Sequence, residues 1–129
     1  MLDEKLRALC KGKNYGVLAT VFPSGRPQAQ VMWIDCDDEH VIVNTEVHRA
    51  KFKNLEAEPR VALTIWETGD PTSYCEVRGR VVETVVGPEA KTHLDSLAKR
   101  YFGSDEYPYP VESQRVIVRI LPERVITFP

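Results

Sequence analysis

The sequence is dominated by short apolar runs, rich in β-branched residues, that alternate with residues typical of turns. Residues such as Pro23-Ser24-Gly25, Asp37-Asp38-Glu39 and Pro122-Glu123 separate neighbouring runs and favour hairpins. Hairpin-linked strands pair antiparallel, and so many β-branched residues favour a small closed barrel. We therefore predict a mainly β fold with six or seven antiparallel strands, at residues 15–22, 28–35, 40–45, 61–66, 74–86, 115–121 and 124–128.

Three helices are predicted between these strands. The first spans residues 3–11 and has Asp3 as a possible cap. The second spans residues 48–57, with Phe52 and Leu55 facing inward and Pro59 closing it. The third begins at Gly87-Pro88 and stops at Gly103. Its apolar residues recur at helical spacing: Ala90, Leu94, Leu97, Ala98 and Tyr101.

Length and charge limit the function classes. A chain of 129 residues fits one domain, residues 1–129, and its net charge of −2 argues against nucleic-acid binding. The three cysteines form no metal-binding spacing with the three histidines, so no metal site is expected. No apolar run approaches the ~18 residues of a membrane span, and no secretion signal is recognisable. We expect a protein of the reducing cytoplasm without a membrane partner.

An unusual order of charges marks the start of the second helix. Arg49, Lys51 and Lys53 crowd a helix N-terminus, where the partial positive charge of the helix normally favours Asp or Glu. A bound anion, such as a phosphate, would turn this repulsion into attraction. Asn44 and Thr45, at the end of the preceding strand, could cap the helix or bond to an oxygen-rich ligand. The alternative is that the basic residues form an ordinary solvated face.

The order of three segments resembles a known family. VLATVFPSGRPQAQVMWID, VIVNTEVHRAKFKNLEAEPRVAL and SYCEVRGRVVE are similar to segments of the FMN-binding split-barrel superfamily related to pyridoxamine phosphate oxidase. The chain looks most like the branch of reductases that use the deazaflavin coenzyme F420. The resemblance covers roughly residues 6–125, and three blocks in the right order are more specific than any one of them.

The resemblance implies a cofactor site. In this family an R-x-K-x-x-N-L type segment binds the cofactor phosphate, and the ring system rests on the second strand of the first hairpin. The implied site residues here are Gln30, Val31, Met32, Trp33, Asn44, Thr45, Arg49, Ala50, Lys51, Lys53 and Asn54. The family assembles each site across a homodimer interface, so a homodimer is expected. Val31 stands where many relatives have Pro, and no match to the C-terminal basic motif of pyridoxamine phosphate oxidases is present, which disfavours vitamin B6 chemistry.

Three functions remain open from the sequence. The first is an oxidoreductase that passes hydride from coenzyme F420 to an unsaturated small molecule, with no catalytic side chain assigned because the cofactor does the chemistry. The others are an FMN-dependent oxidoreductase and a non-enzymatic flavin or haem carrier or sensor. Four arginines could meet the acidic tail of coenzyme F420 or simply face outward: Arg78, Arg80, Arg115 and Arg119. Four aromatic residues could line a cofactor groove or pack in the core: Trp33, Trp66, Tyr74 and Tyr109.

Overall fold

One antiparallel sheet of seven strands forms the body of the computed structural model, which describes residues 1–129. The strands are β1 (Tyr15–Val21), β2 (Pro27–Trp33), β3 (Asp35–Cys36), β4 (Val41–Glu46), β5 (Arg60–Glu67), β6 (Asp70–Val86) and β7 (Arg115–Phe128). Their order across the sheet is β2-β1-β5-β6-β7-β4-β3. Only Ile34 separates the two edge strands β2 and β3 in sequence, so the sheet must curl until its edges approach each other. No ladder joins them, and the barrel is therefore split, as the family resemblance implies.

Three helices cover the sheet: α1 (Glu4–Lys11), α2 (Ala50–Ala57) and α3 (Pro88–Phe102). In α1, the Asp3 side chain accepts a hydrogen bond from the Leu6 N–H, which confirms the predicted cap. Helix α3 ends at Gly103, whose φ of 75° is the left-handed conformation that glycine adopts without strain. All five residues of the predicted apolar face of α3 are buried. No helix in the structure is long and apolar enough to cross a membrane.

The main core lies between the concave face of the sheet, α1 and α2. It is built from fully buried side chains on several elements, among them Leu6, Ile34, Val43, Leu55, Leu63, Ile65 and Ile120. Burying each such side chain contributes roughly 1.5–3 kcal/mol. This packing fixes β2, β4 and the start of α2 relative to one another, which positions the site described below.

The last two predicted strands form one continuous strand. We predicted a break at Pro122-Glu123, but β7 runs through it to Phe128. Pro122 lies opposite Gly79, where the register between β6 and β7 shifts, and a proline is tolerated at such an irregularity because a ladder hydrogen bond is already missing. A side chain at Gly79 would collide with the carbonyl oxygen of Leu121, so the close approach of the two strands requires glycine there.

The predicted start of α2 also requires correction. The helix begins at Ala50 rather than at residue 48, and Arg49 occupies the cap position without a side-chain cap hydrogen bond. Asn44 and Thr45 are not caps, because both are buried within β4. Residues 67–72, which lie between the predicted strands 61–66 and 74–86, belong largely to a tight hairpin in which β6 begins at Asp70, and Asp35–Cys36 form an additional short strand.

Candidate functional site

A cleft of about 180 Å³ lies where β2, β4, the start of α2, α3 and the start of β7 meet. Tyr107, from the segment between α3 and β7, forms part of its wall. The eleven lining residues are Val31, Met32, Trp33, Asn44, Thr45, Arg49, Lys51, Leu94, Leu97, Tyr107 and Arg115. The lining therefore combines three cations with apolar side chains.

Lys51 is a buried cation without an acidic partner. Lys51 is 8% exposed, and its Nζ donates to the Met32 thioether sulfur at 3.1 Å instead of to a carboxylate. Burial, together with the charges of Arg49 and Arg115, lowers the pKa of Lys51 to about 8. A buried charge in such surroundings is costly unless a ligand of opposite charge compensates it.

Arg115 is held in a fixed orientation at the start of β7. It is also 8% exposed, and its Nε donates to Asn44 Oδ1 at 2.8 Å. Its guanidinium carbon lies 5.6 Å from the centre of the Tyr107 ring, within the range of a cation–π interaction. Burial lowers the pKa of Arg115 from its ordinary value, but a guanidinium stays charged in proteins.

Glu46 is the one acidic side chain close to these cations. It is 2% exposed, and its Oε1 accepts the N–H groups of Glu112 at 2.7 Å and Ser113 at 3.2 Å. Burial raises the pKa of Glu46, but the two N–H groups and the nearby charge of Arg115 together lower it by more, so the net shift is downward and the carboxylate is charged. Its Oε2 lies 3.7 Å from Arg49 Nε and 4.0 Å from Arg115 Nη1.

The cleft therefore has an excess of positive charge. Arg49, Lys51 and Arg115 line it, and one buried carboxylate, Glu46, stands behind them. The first turn of α2 contains no acidic residue, and no side chain caps it. Three cations beside an uncapped helix start are suited to binding a phosphate or a similar anion.

The apolar part of the cleft wall is partly open to solvent. Met32 is 7% exposed, whereas the neighbouring Val31 on β2 is 62% exposed. The Trp33 ring stacks on Tyr101 with the ring centres 4.8 Å apart, and it meets Tyr107 edge-on at 5.9 Å. Leu94 and Leu97 extend this wall from α3. Such a surface is suited to the face of a flat, largely apolar ring system.

Seven of the eleven implied site residues line the cleft: Val31, Met32, Trp33, Asn44, Thr45, Arg49 and Lys51. The other four lie outside it. Gln30, Ala50 and Lys53 are exposed. Asn54 is buried, and its Nδ2 donates to Thr20 Oγ1 at 3.1 Å and to Gln28 Oε1 at 3.3 Å, which ties α2 to the first hairpin.

Of the four arginines considered for an acidic tail, Arg115 lines the cleft and the other three pair with carboxylates elsewhere. Arg78 donates to Glu76 at 2.7 Å and Arg80 donates to Glu123 at 3.3 Å. Arg119 donates to Asp37 and Glu83. For these three arginines the structure favours the alternative interpretation, that they are ordinary residues outside the cofactor site. Among the four aromatic candidates, Trp33 alone lines the cleft, and Tyr74 stacks on Phe128 at 5.6 Å.

Sequence reasoning did not assign Leu94, Leu97 or Tyr107 to the site. The helical spacing identified Leu94 and Leu97 as a buried face, but it gave no indication of which strand that face would meet. Tyr107 lies in a segment without regular structure. Its backbone N–H donates to Asp95 at 2.9 Å, a contact twelve residues away that local patterns do not reveal.

Comparisons with known proteins agree with this architecture. A solved structure of an F420 reductase has a TM-score of 0.84 and 33% identity, covering 97% of this chain and 98% of its own. A conserved hypothetical protein of Mycobacterium tuberculosis has a TM-score of 0.72 and 26% identity, covering 99% of this chain and 85% of its own. A haem storage protein of Vibrio cholerae has a TM-score of 0.66 but only 16% identity, over 98% of this chain and 94% of its own, and shares the fold alone.

Sequence comparison gives the same family. The pyridoxine/pyridoxamine 5'-phosphate oxidase of Microcystis aeruginosa is 36% identical over 64 residues, which are 46% of this chain and 30% of that protein. The matched region therefore covers less than a third of the length of that relative. The family described as pyridoxamine 5'-phosphate oxidase matches residues 2–128, nearly the whole sequence. The protein belongs to the pyridoxamine 5'-phosphate oxidase family of split barrels, an oxidoreductase family.

Proposed function

We propose that this protein is a reductase that binds coenzyme F420 in the cleft and transfers hydride to an unsaturated organic substrate. The observation that carries the proposal is Lys51, a buried cation with no carboxylate partner, grouped with Arg49 and Arg115. The likeness to an F420 reductase at 33% identity over almost the full length of both chains supports this choice of cofactor.

The residues of the cleft fit such a coenzyme. Its phosphate would be held by Lys51, Arg49 and Arg115, and each charge-assisted hydrogen bond of this kind contributes roughly 1.5–3 kcal/mol. Its ring system would face Met32 and Trp33. When bound, the deazaflavin supplies the hydride, and carbon in place of ring nitrogen 5 suppresses one-electron chemistry and slows the reaction with oxygen.

The protein contributes binding, orientation and exclusion of water rather than a nucleophile. Arg115 is fixed before any ligand arrives, because Asn44 accepts its Nε hydrogen and Tyr107 lies beside its guanidinium. Pre-orientation reduces the entropy that binding would otherwise cost. Leu94 and Leu97 are buried and line the cleft, where their apolar side chains exclude water.

A second copy of the chain would complete the site. The cleft holds about 180 Å³, whereas pockets for ligands of this size usually enclose roughly 300–1,000 Å³. Exposed apolar side chains lie on the cleft wall or in the adjoining aromatic cluster: Val31 at 62%, Phe102 at 49% and Tyr109 at 58%. A partner subunit that covered them would also enclose the cofactor.

FMN is the second candidate cofactor, and a specific observation favours it. Because Arg78, Arg80 and Arg119 already pair with carboxylates, Arg115 is the one arginine of the four in the cleft. A compact ligand with a single phosphate would therefore satisfy the cations without an acidic tail. Both cofactors would place a phosphate in the same anion site. They differ in the acidic tail that coenzyme F420 carries and FMN lacks.

A matched pair of lysine variants tests the anion site. We expect Lys51→Met to lower the affinity for coenzyme F420 by roughly 10- to 100-fold, the equivalent of one charge-assisted hydrogen bond. Lys53→Met is the control, because Lys53 lies on the same helix but is exposed outside the cleft. Fluorescence titration of both variants provides the measurement. Equal affinity in Lys51→Met and the parent protein would contradict the assignment of Lys51 to the anion site.

A further inference from the structure

A chain of three side-chain hydrogen bonds runs from the edge of the sheet to the cleft. His93 Nε2 lies 2.9 Å from Asp35 Oδ2, and His93 Nδ1 lies 3.0 Å from Asn44 Nδ2. Asn44 Oδ1 in turn accepts from Arg115 Nε at 2.8 Å. His93 does not line the cleft, yet it is connected through one amide to a cation that does.

The neighbours of Asn44 determine the direction of every bond in this chain. Arg115 Nε can only donate, so the amide oxygen of Asn44 must face it. The Asn44 amide nitrogen faces the carbonyl oxygen of Ala90 at 2.9 Å, which can only accept. If the amide were flipped, its N–H groups would face the donor Arg115 Nε, and its oxygen would face the Ala90 carbonyl oxygen, which is also an acceptor. His93 Nδ1 must therefore accept from Asn44, and the ring proton lies on Nε2 and points to Asp35.

We propose that His93 is a positioning residue for the anion site: its neutral, Nε2-protonated ring holds the Asn44 amide in the orientation that fixes Arg115. A second proton, on Nδ1, would oppose the Asn44 amide hydrogens. The contact would open, and the Ala90 carbonyl alone would then hold the amide nitrogen of Asn44, so the acceptor of Arg115 would be less firmly fixed. This inference rests on the proposed role of the cleft as an anion site, and it makes anion affinity fall when His93 gains a proton.

The charged groups around His93 are consistent with this role. Asp35 on β3 also accepts from Lys11 on α1 at 3.1 Å and from Arg100 on α3 at 3.0 Å. Burial raises the pKa of Asp35, but the hydrogen bonds from His93 and Arg100 hold it well below its usual range. Asp35 therefore stays an acceptor throughout the range in which histidine titrates. On the other side of the ring, Asn44 on β4 separates His93 from Arg115 on β7.

Sulfate is a suitable probe, because its charge does not change where histidine titrates, and its binding does not require the deazaflavin. The experiment uses a His48→Gln background, since His48 is a second histidine beside the cleft, with its Nδ1 3.9 Å from Glu46 Oε2. Sulfate affinity is measured at about pH 7.5 and about pH 5.5, on either side of the ordinary histidine pKa. Comparing variants at the same pH cancels the titration of Lys51, which all of them share.

Three variants separate the positioning role from a structural one. The parent should lose roughly three- to tenfold in affinity on acidification, the effect of one hydrogen bond. His93→Gln should keep its affinity at both pH values, because glutamine can donate to Asp35 and accept from Asn44 but cannot gain a proton. His93→Leu should bind weakly at both. His40→Gln is the matched control, since His40 contacts Asp37 instead, and it should follow the parent.

A second readout is the nitrogen NMR spectrum of the His93 ring, which should show a proton on Nε2 and an accepting Nδ1 near neutral pH. Identical sulfate profiles in the parent and His93→Gln, a ring proton on Nδ1, or no sulfate binding by the parent would overturn the inference. If the sulfate profiles behave as expected but coenzyme F420 does not bind, the proposed cofactor is wrong and the role of His93 stands.

Discussion

Lys51 carries most of the functional argument at the scale of single residues. Its charge is buried beside a thioether and two arginines, without a carboxylate partner. We therefore expect Lys51→Met to raise the free energy of unfolding of the ligand-free protein, by on the order of 1–3 kcal/mol, because an uncompensated buried charge is removed. Urea denaturation near neutral pH measures this, with Lys53→Met as an unchanged control. A Lys51→Met protein less stable than its parent would contradict the account.

The lowered pKa of Lys51 also gives a pH dependence. Burial and the charges of Arg49 and Arg115 set this pKa to about 8, so the contribution of Lys51 to anion affinity should be level below about pH 8 and fall above it, by at most about tenfold per pH unit. Stability should change in the opposite direction. The unfolded lysine keeps its proton to higher pH than the folded one, so the free energy of unfolding rises with pH through this range.

Titrating affinity and stability from neutral to alkaline pH in the parent and in Lys51→Met tests both parts of this dependence. The variant should lack the lysine contribution to each curve. An anion affinity of the parent that stays level well above pH 8 would show that Lys51 is not the group responsible.

Residue spacing could have distinguished Lys51 from Lys53 before the structure was known. Lys51 lies four residues before Leu55, so the two share a helix face, and both are buried. Spacing also places Arg78 beside Glu76, two residues away on the same strand, but the pairing of Arg80 and Arg119 was not accessible in this way. The partners of Arg80 and Arg119 come from segments 36 to 82 residues distant, and no local pattern specifies them.

At the scale of elements, Glu46 attaches the segment between α3 and β7 to the end of β4. Its carboxylate accepts the N–H groups of Glu112 and Ser113, and the same segment carries Tyr107 into the cleft. We expect Glu46→Ala to speed amide hydrogen exchange at Glu112 and Ser113 by about tenfold or more, since each loses a hydrogen bond to a charged group. Glu46→Gln keeps an acceptor oxygen and should show a smaller effect. Unchanged exchange in Glu46→Ala would mean that other contacts hold the segment.

Local signals predicted some elements well and others poorly. The limits of α1 and α3 were predicted nearly to the residue because Asp3 and Gly103 act through their own backbone neighbourhood. The continuity of β7 was not predicted. Pro122 normally ends a strand, and the shift in register opposite Gly79 that accommodates it belongs to β6, a distant part of the chain.

At the scale of the whole molecule, we expect a homodimer with the cleft at the subunit boundary. Val31 is a suitable probe, because its side chain is already largely in water in the isolated chain. Val31→Glu should therefore weaken the dimer without unfolding the protein. Sedimentation at micromolar concentration measures the association. A parent protein that is monomeric at this concentration and still binds the cofactor would contradict the expected homodimer.

The sequence predicted the number of strands and their antiparallel pairing, but not their arrangement. The placement of β4 between β7 and β3 depends on contacts between residues more than 70 positions apart, such as the pairing of Val43 with Val118. The cleft lies where those strands meet α3. Its cationic half was therefore accessible from the charge order near Arg49, whereas its apolar half required the assembled sheet.

The central claim is that the cleft selects coenzyme F420. The most direct measurement is a titration of the purified protein with coenzyme F420 and FMN side by side, followed by anaerobic mixing of the reduced deazaflavin complex with quinones, enones and tetrapyrroles. We predict tighter binding of coenzyme F420 and reoxidation of its reduced form by at least one of these acceptors. Binding of FMN at least ten times tighter, a difference of about 1.4 kcal/mol, with no reoxidation by any acceptor, would contradict it.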